Sequence, residues 1–178
     1  MEASWNDTHQ ELVIACKQGD RQSQFKLYNL HAKAMYNTAL RIVQDEVEAA
    51  DVLQEAFVDA FTRLHSFRQE STFGFWMKQI VVNKSISALR KRRLVFQPLK
   101  DDEQIADEPE EEEDLKWKVE TIKAAINQLP DGYRLVLTLY LLEGYDHEEI
   151  AHILEISEAT SRTQLLRGKR KLLAHLQD

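Results

Sequence analysis

The chain has 178 residues, of which 43% are hydrophobic, enough for the cores of one large or two small domains. Five glycines and three prolines among long runs of helix-forming residues predict an all-α fold. No apolar run approaches the ~18 residues of a membrane span, and the N-terminus lacks the organisation of a signal peptide, so we expect a cytoplasmic protein. The single Cys16 excludes an internal disulfide.

The net charge of −7 is spread unevenly along the chain. Residues 1–93 hold 13 basic and 11 acidic side chains, residues 94–114 hold one and 10, and residues 115–178 hold nine of each. This pattern predicts two near-neutral domains joined by an acidic linker, which Pro98 and Pro109 keep from forming a helix. Such a linker provides solubility and reach, or it mimics a nucleic-acid strand in a basic channel.

Three helices are predicted at the start of the first domain, over His9–Gln18, Arg21–Val43 and Glu46–His65. The spacing of apolar residues in the second helix predicts a buried stripe of Phe25, Tyr28, Ala32, Met35, Tyr36, Ala39 and Val43. In the third helix an outer face that is mostly acidic and polar lies off the apolar stripe; its residues are Asp51, Gln54, Glu55, Val58 and Asp59. On charge alone, simple solvation explains this face best.

A fourth helix, predicted over Phe73–Arg93, has two neighbouring stripes, one apolar and one mostly polar. Phe73, Met77, Ile80 and Val81 are expected to face the core. The neighbouring stripe contains Trp76, Asn83, Ser87 and Arg90 and ends in a run of four basic residues. An aromatic ring beside amide and basic groups suits unstacked bases and their phosphates, as single-stranded nucleic acid requires. An aromatic residue at helical spacing also fits an ordinary core.

The second domain is predicted to end in a helix-turn-helix. A helix over Leu115–Gln128 stops before Pro130, and the apolar segment Leu135–Leu142 is expected to be buried. Asp146 and Glu149 form a capping box, and Ser157 caps the last helix, whose predicted buried stripe is Ser161, Leu165, Gly168, Leu172 and Leu176. The turn carries Glu155 where glycine is the usual residue for a positive backbone angle.

The outer faces of the last helix suit binding in a DNA major groove. They carry Thr160, Arg162, Thr163, Gln164 and Arg167, and Arg and Gln side chains can make paired hydrogen bonds to base edges. The alternative is a solvated amphipathic helix, since the helix dipole favours cations near a C-terminus in any case. We predict no catalytic residue, no metal site and no cofactor, because the six histidines and Cys16 show no ligand spacing and no phosphate loop is present.

Two blocks of sequence together resemble the extracytoplasmic-function (ECF, group IV) sigma factors of bacterial RNA polymerase. They are AADVLQEAFVDAF at 49–61 with FRQESTFGFWMKQIVVNKSISALRKRR at 67–93, and LPDGYRLVLTLYLLEGYDHEEIAHILEISEATSRTQLLRGKRKLL at 129–173. The resemblance implies a sigma domain 2 bundle at 1–93, a flexible acidic linker at 94–114, and a sigma domain 4 helix-turn-helix at 115–178. It also implies that the chain directs promoter-specific transcription initiation.

The resemblance further implies the residues that make each contact. The residues implied to dock on the clamp helices of the polymerase beta-prime subunit are Asp51, Gln54, Glu55, Phe57 and Val58. The residues implied to recognise and melt the minus-ten element are Phe67, Arg68, Ser71, Trp76, Asn83, Ser87, Arg90, Arg92 and Arg93. The residues implied to recognise the minus-thirty-five element are Ser157, Thr160, Arg162, Thr163, Gln164, Arg167 and Lys169.

The partners implied are core RNA polymerase (beta-prime and beta), double-stranded and melted promoter DNA, and an anti-sigma factor, without membrane insertion. Ser87, Glu155, Ala159 and Ser161 depart from the residues usual in the family. Two other classes remain open: a stand-alone helix-turn-helix regulator and a helical adaptor that binds no nucleic acid.

Overall fold

The structure, a computed structural model, describes residues 4–92 and 119–177. Within these two ranges the chain forms eight α-helices and no strand, which confirms the all-α fold. The first domain contains α1 (Ser4–Lys17), α2 (Arg21–Val43), α3 (Glu46–Thr62) and α4 (Phe73–Arg92). The second contains α5 (Val119–Gln128), α6 (Asp131–Leu137), α7 (His147–Leu154) and α8 (Glu158–Gln177). The predicted linker 94–114 lies outside the described residues.

The first domain is a bundle in which α2, α3 and α4 pack against one another and α1 packs on α2. Aspartates mark two of its helix starts: Asp20 accepts a hydrogen bond from the Ser23 amide (3.1 Å), and Asp45 accepts one from the Glu48 amide (2.8 Å). These carboxylates satisfy amides that have no partner within the helix. Both helices therefore begin directly after these aspartates, and their apolar faces pack against each other.

Three sequence predictions for this domain were wrong in detail. The first helix, predicted over His9–Gln18, spans Ser4–Lys17. The predicted third helix, Glu46–His65, ends at Thr62 and is followed by a 3₁₀ turn over Leu64–Ser66. Phe25, predicted to face the core, is 66% exposed, whereas Leu27 is buried. Because residues two apart lie about 200° apart around a helix, a stripe that includes Leu27 places Phe25 on the solvent side.

In the second domain α6 continues into one π-helical turn over Thr138–Leu142. The Glu143 amide accordingly donates to the Thr138 carbonyl, five residues back (3.0 Å). The prediction that all of Leu135–Leu142 is buried was wrong at Tyr140 and Leu141, which are 37% and 45% exposed. The wider turn changes the angle between successive side chains and carries these two out of the core.

The helix-turn-helix is confirmed. Asp146 and Glu149 form the predicted capping box, with hydrogen bonds of 2.8 and 2.9 Å, and Ser157 Oγ accepts from the Thr160 amide (3.0 Å). Glu155 has φ 56°, the left-handed conformation that the turn requires. The buried residues of α8 are those predicted: Ser161, Leu165, Gly168, Leu172 and Leu176.

None of the helices in the described parts of the chain is both long and apolar enough to cross a membrane.

Candidate polymerase and nucleic-acid interfaces

The outer face of α3 is open to solvent. Asp51, Gln54 and Glu55 are exposed, and the side chain of Val58 beside them is 66% exposed. Phe57, predicted to contact polymerase, is only 4% exposed; its ring packs on Tyr28 at a centroid distance of 4.8 Å. Its position corrects the prediction: Phe57 supports this face from the core and does not form part of its surface.

Asp59 connects the acidic face of α3 to α4. Its carboxylate forms salt bridges with Lys84 Nζ (2.9 Å) and with Arg63 Nη2 (3.2 Å). The hydrogen bond from Lys84, aided by the positive charges of Lys84 and Arg63, lowers the pKa of Asp59 below its usual value. The carboxylate therefore stays ionised and orients Lys84, which lies next to the predicted minus-ten residues of α4.

The loop that follows α3 is fixed by aromatic packing. Phe67 stacks on Trp76 at a centroid distance of 4.9 Å, and Phe73 lies 5.9 Å from Trp76. Lys17 Nζ donates to the Phe67 carbonyl at 2.8 Å, which ties the loop to α1. Phe67 is 5% exposed, so its ring holds the loop in place, whereas the side chains of Arg68 and Ser71 are exposed.

A cavity of about 290 Å³ lies between this loop and α1. Gln69 to Phe73 form one wall, and His9, Gln10 and Val13 form the other. The periodicity of the sequence gave no indication that α1 would contribute to a cavity, because the contact joins segments about 60 residues apart and depends on tertiary packing.

Three of the predicted minus-ten residues on α4 share one polar depression of about 310 Å³. Trp76, Asn83 and Ser87 line it together with Arg63 and Lys84. Asn83 and Ser87 are exposed and Trp76 is half-buried. The depression thus combines a ring face, an amide, a hydroxyl and two cations, a set of groups suited to an unpaired nucleotide.

The basic end of α4 is engaged in contacts of its own. Arg90 donates to Glu155 (3.0 Å) and to the Ile153 carbonyl (3.2 Å) in the helix-turn-helix. Arg92 donates to Glu48 (2.7 Å) and to the Val43 carbonyl at the end of α2 (2.9 Å). The structure therefore separates these two arginines from the depression, and Arg93 lies outside the described residues.

The start of α8 is largely open to solvent. Its exposed predicted residues are Ser157, Thr160, Arg162, Thr163 and Lys169. Arg162 pairs with Glu158 one turn away (2.8 Å). Gln164 and Arg167 are half-buried, and the Oε1 atom of Gln164 is buried without a hydrogen-bond partner.

The angle between α7 and α8 is fixed by a contact that the sequence did not reveal. Ring nitrogen Nδ1 of His147 lies 2.9 Å from Oγ of the buried Ser161, and the Tyr140 ring stacks on His147 at 4.8 Å. Gly168 fits closely against Leu137 of α6, where an added Cβ would lie 3.0 Å from the Leu137 side chain. These contacts hold α8 against α6 and α7 with its predicted DNA-binding face outward.

No group of three or more His, Cys, Asp or Glu residues in the described ranges is arranged to hold a metal ion.

Comparison with known proteins places both domains. Residues 27–95 match the family described as Sigma-70 region 2, and residues 120–172 match Sigma-70, region 4. The ECF RNA polymerase sigma factor SigM of Bacillus subtilis is 30% identical over 155 residues, which cover 84% of this chain and 92% of that protein. The chain belongs to the ECF RNA polymerase sigma factors.

Other relatives agree. The RNA polymerase sigma-H factor of Pseudomonas aeruginosa is 31% identical over 180 residues, covering 94% of this chain and 93% of that protein. The fold is similar to that of the sigma factor RpoE in its co-crystal structure with the anti-sigma factor NepR from Bartonella quintana. That similarity has a TM-score of 0.57 at 22% identity and covers 85% of this chain and 95% of the other. This ECF sigma factor thus directs transcription initiation by RNA polymerase, which confirms the class expected from the sequence.

Proposed function

We propose that this group IV sigma factor docks on core polymerase with the exposed face of α3, and that α4 and α8 contact the two promoter elements. The chain itself catalyses no reaction, and it acts in the bacterial cytoplasm, where its polymerase partner works. The observation that carries this proposal is the uncovered face of α3. Asp51, Gln54, Glu55 and Val58 remain open to solvent while the opposite side of the same helix forms the core.

Docking on the beta-prime clamp helices, with further contacts to beta, combines charge with a small apolar patch. Val58 is 66% exposed beside the carboxylates of Asp51 and Glu55, and its burial on binding adds an apolar contribution. Two carboxylates on one face attract a basic surface and fix the register of docking. Phe57 beneath them keeps α3 in position through the core.

At the minus-ten element, the loop 67–72 contacts the DNA backbone and the depression on α4 binds a base. Arg68 and Ser71 on the loop are exposed and can hold phosphate and sugar groups. The depression formed by Trp76, Asn83 and Ser87 accommodates an unstacked base. Because Phe67 and Lys17 already fix the loop, little ordering entropy is lost when DNA binds.

At the minus-thirty-five element, the start of α8 enters the major groove. Ser157, Thr160 and the helix N-terminus contact phosphates, Arg162 and Thr163 face the base edges, and Lys169 adds a phosphate contact further along the helix. Gln164 and Arg167 complete this surface once they are accessible.

An anti-sigma factor is the expected regulator. The Bartonella quintana RpoE structure contains one, and a second similar fold, CnrH, is in complex with the cytosolic domain of CnrY (TM-score 0.58, 22% identity, 95% of this chain and 97% of that one). We propose that a protein of this kind binds the present chain as well.

Charge reversal on α3 tests the docking. Asp51→Arg and Glu55→Arg replace exposed carboxylates, so the fold should be retained while association with core polymerase falls sharply, because like charges now meet at the interface. The measurements are co-purification with core polymerase and run-off transcription from a genomic fragment library. Glu148→Arg, an equal charge change at an exposed site on α7, is the matched control. Undiminished association of both α3 variants would contradict the proposal.

A further inference from the structure

A cleft with mainly apolar walls lies between α4 and the helix-turn-helix. Its volume is about 240 Å³. The apolar side chains come from α4, from α6, and from the end of α7 with the turn that follows it: Ile86, Leu89, Leu135, Val136, Leu154 and Ile156. The first four of these are buried members of the hydrophobic core. The walls of the cleft are therefore fixed by core packing.

The size of the cleft suits a small ring compound. In another protein, an apolar cavity of about 150 Å³ lined by similar side chains binds benzene. At about 240 Å³ the present cleft has room for one or two rings. Apolar walls with a few polar groups that fix orientation are typical of small-molecule sites.

One polar atom in the cleft has no partner within the described parts of the chain. Gln164 of α8 lines the cleft, and its Oε1 atom is buried without a hydrogen bond. Gly132, in the first turn of α6, also lines the cleft, and a Cβ at this position would lie 3.8 Å from that oxygen. Because a buried acceptor gains from any donor that reaches it, an N–H or O–H group of a ligand would both strengthen and orient binding.

The other polar groups of the cleft already have partners. Thr160 Oγ1 lies 2.8 Å from Ser157 Oγ. The guanidinium of Arg90 donates to Glu155 (3.0 Å) and to the Ile153 carbonyl (3.2 Å). An anionic ligand would have to displace Glu155 from Arg90, so these contacts favour a neutral ligand.

We propose that this cleft binds a small, neutral aromatic molecule that carries one N–H or O–H donor, and that this donor bonds to Oε1 of Gln164. The apolar walls supply most of the affinity and the glutamine supplies the selectivity. The assignment rests on the walls and the acceptor, and it is independent of the DNA contacts proposed above.

Two probes of nearly equal shape test the acceptor. Indole has an N–H donor, and benzofuran has an ether oxygen at the same position. Calorimetric titration of the full chain should show that indole binds about tenfold more tightly than benzofuran, the difference expected for one buried hydrogen bond.

Gln164→Leu should abolish this preference. The leucine removes the acceptor and keeps an apolar wall, so indole should lose its advantage while benzofuran binds at least as tightly as before. Gln177→Leu, the same replacement at the exposed end of α8, is the matched control and should keep the wild-type preference.

A second variant tests the location of the site. Gly132→Leu should place its side chain in the cleft, since the added Cβ makes only an ordinary contact with Gln164. Both probes should then show no binding at concentrations that saturate the wild type. Ala124→Leu, at an exposed position of α5, is the control, and thermal unfolding without ligand verifies that each variant is folded. In the wild type, indole should shift the methyl NMR signals of Ile86, Leu89 and Leu154.

Equal affinities of the two probes for the wild type would overturn the proposal. So would full binding to folded Gly132→Leu, or binding that leaves the three methyl signals unchanged. If a tryptophan-containing peptide shifts these signals while free indole does not, the occupant is a side chain of another protein and the small-molecule assignment is wrong.

Discussion

At the scale of single residues, Glu155 shows what the sequence could and could not reveal. The helix-turn-helix pattern predicted that position 155 needs a positive backbone angle, and the structure has φ 56° there. A non-glycine residue in this conformation is strained by about 1 kcal/mol. The Glu155 side chain also contacts Arg90 (3.0 Å), a residue 65 positions away that no local pattern could connect to the turn.

His31 is a second residue whose environment could be found only in the structure. Its half-buried ring lies against His9 (5.5 Å) and Phe73 (5.3 Å), and its Nε2 atom is buried without a partner. Burial, and then the charge of His9, lowers the pKa of His31 below its usual 6.5. Folding therefore disfavours the protonated ring.

This shift predicts how stability depends on pH. As pH falls through 6.5, the unfolded chain binds a proton at His31 that the folded chain does not, so the free energy of unfolding decreases until pH reaches the lowered pKa. His31→Leu should flatten this decrease, measured as the thermal midpoint between pH 7.5 and pH 5. His65→Gln, at an exposed histidine, should leave it unchanged, and an equally steep loss in His31→Leu would rule out this origin.

At the scale of helices, local rules predicted where a helix begins and which of its side chains are buried. They predicted less well how the helices pack against one another. The capping box at Asp146 and the buried face of α8 followed from short-range spacing. The π-helical turn at Thr138–Leu142 was not predicted, because the apolar run of this segment is equally compatible with a regular α-helix. Phe25 was misplaced because the predicted stripe began at Phe25, whereas the buried face of α2 runs through Ser23 and Leu27.

The capping box at Asp146 predicts a measurable loss of stability. Asp146→Ala leaves the Glu149 amide without its acceptor and should cost about 1 kcal/mol of unfolding free energy in a chemical denaturation series. Glu149→Gln should change little, because an amide oxygen can still accept the hydrogen bond from the Asp146 amide. An equal loss in both variants would contradict the capping assignment.

The close packing of α8 on α6 makes a second prediction at this scale. Gly168→Ala would place its Cβ 3.0 Å from Leu137 Cδ1 and 3.3 Å from Tyr133 Cβ, and both neighbours are buried. Overpacking of this kind costs about 1–3 kcal/mol, more than the helix propensity that alanine gains. The denaturant midpoint should fall, whereas Ala174→Gly, at an exposed position of the same helix, isolates the propensity contribution. A stabilised Gly168→Ala protein would show that α8 does not rest on α6 as described.

At the scale of the whole molecule, the sequence indicated two domains but not their placement. Their contact joins residues about 100 positions apart, such as Arg41 with Glu143 and Arg134 with the Ile42 carbonyl. These are polar groups that pattern analysis assigns to solvent. The candidate surfaces on α3 and α8 could be predicted because their residues lie on one helix face each, whereas the cavity beside α1 and the engagement of Arg90 required the tertiary structure.

The distribution of charge leads to a last prediction, on binding to DNA. The chain carries −7 overall because residues 94–114 hold 10 acidic side chains and one basic one. Replacing Glu110, Glu111, Glu112, Glu113 and Asp114 by the corresponding amides changes the net charge from −7 to −2. Less repulsion should tighten non-specific binding of the free chain to duplex DNA at low salt, measured by anisotropy. The difference should shrink above about 0.1 M salt, where the screening length falls to about 10 Å. A variant with residues 101–114 in scrambled order, which keeps the charge, should bind like the wild type. A gain that persists undiminished at high salt would point instead to direct occupation of the DNA surfaces by the acidic segment.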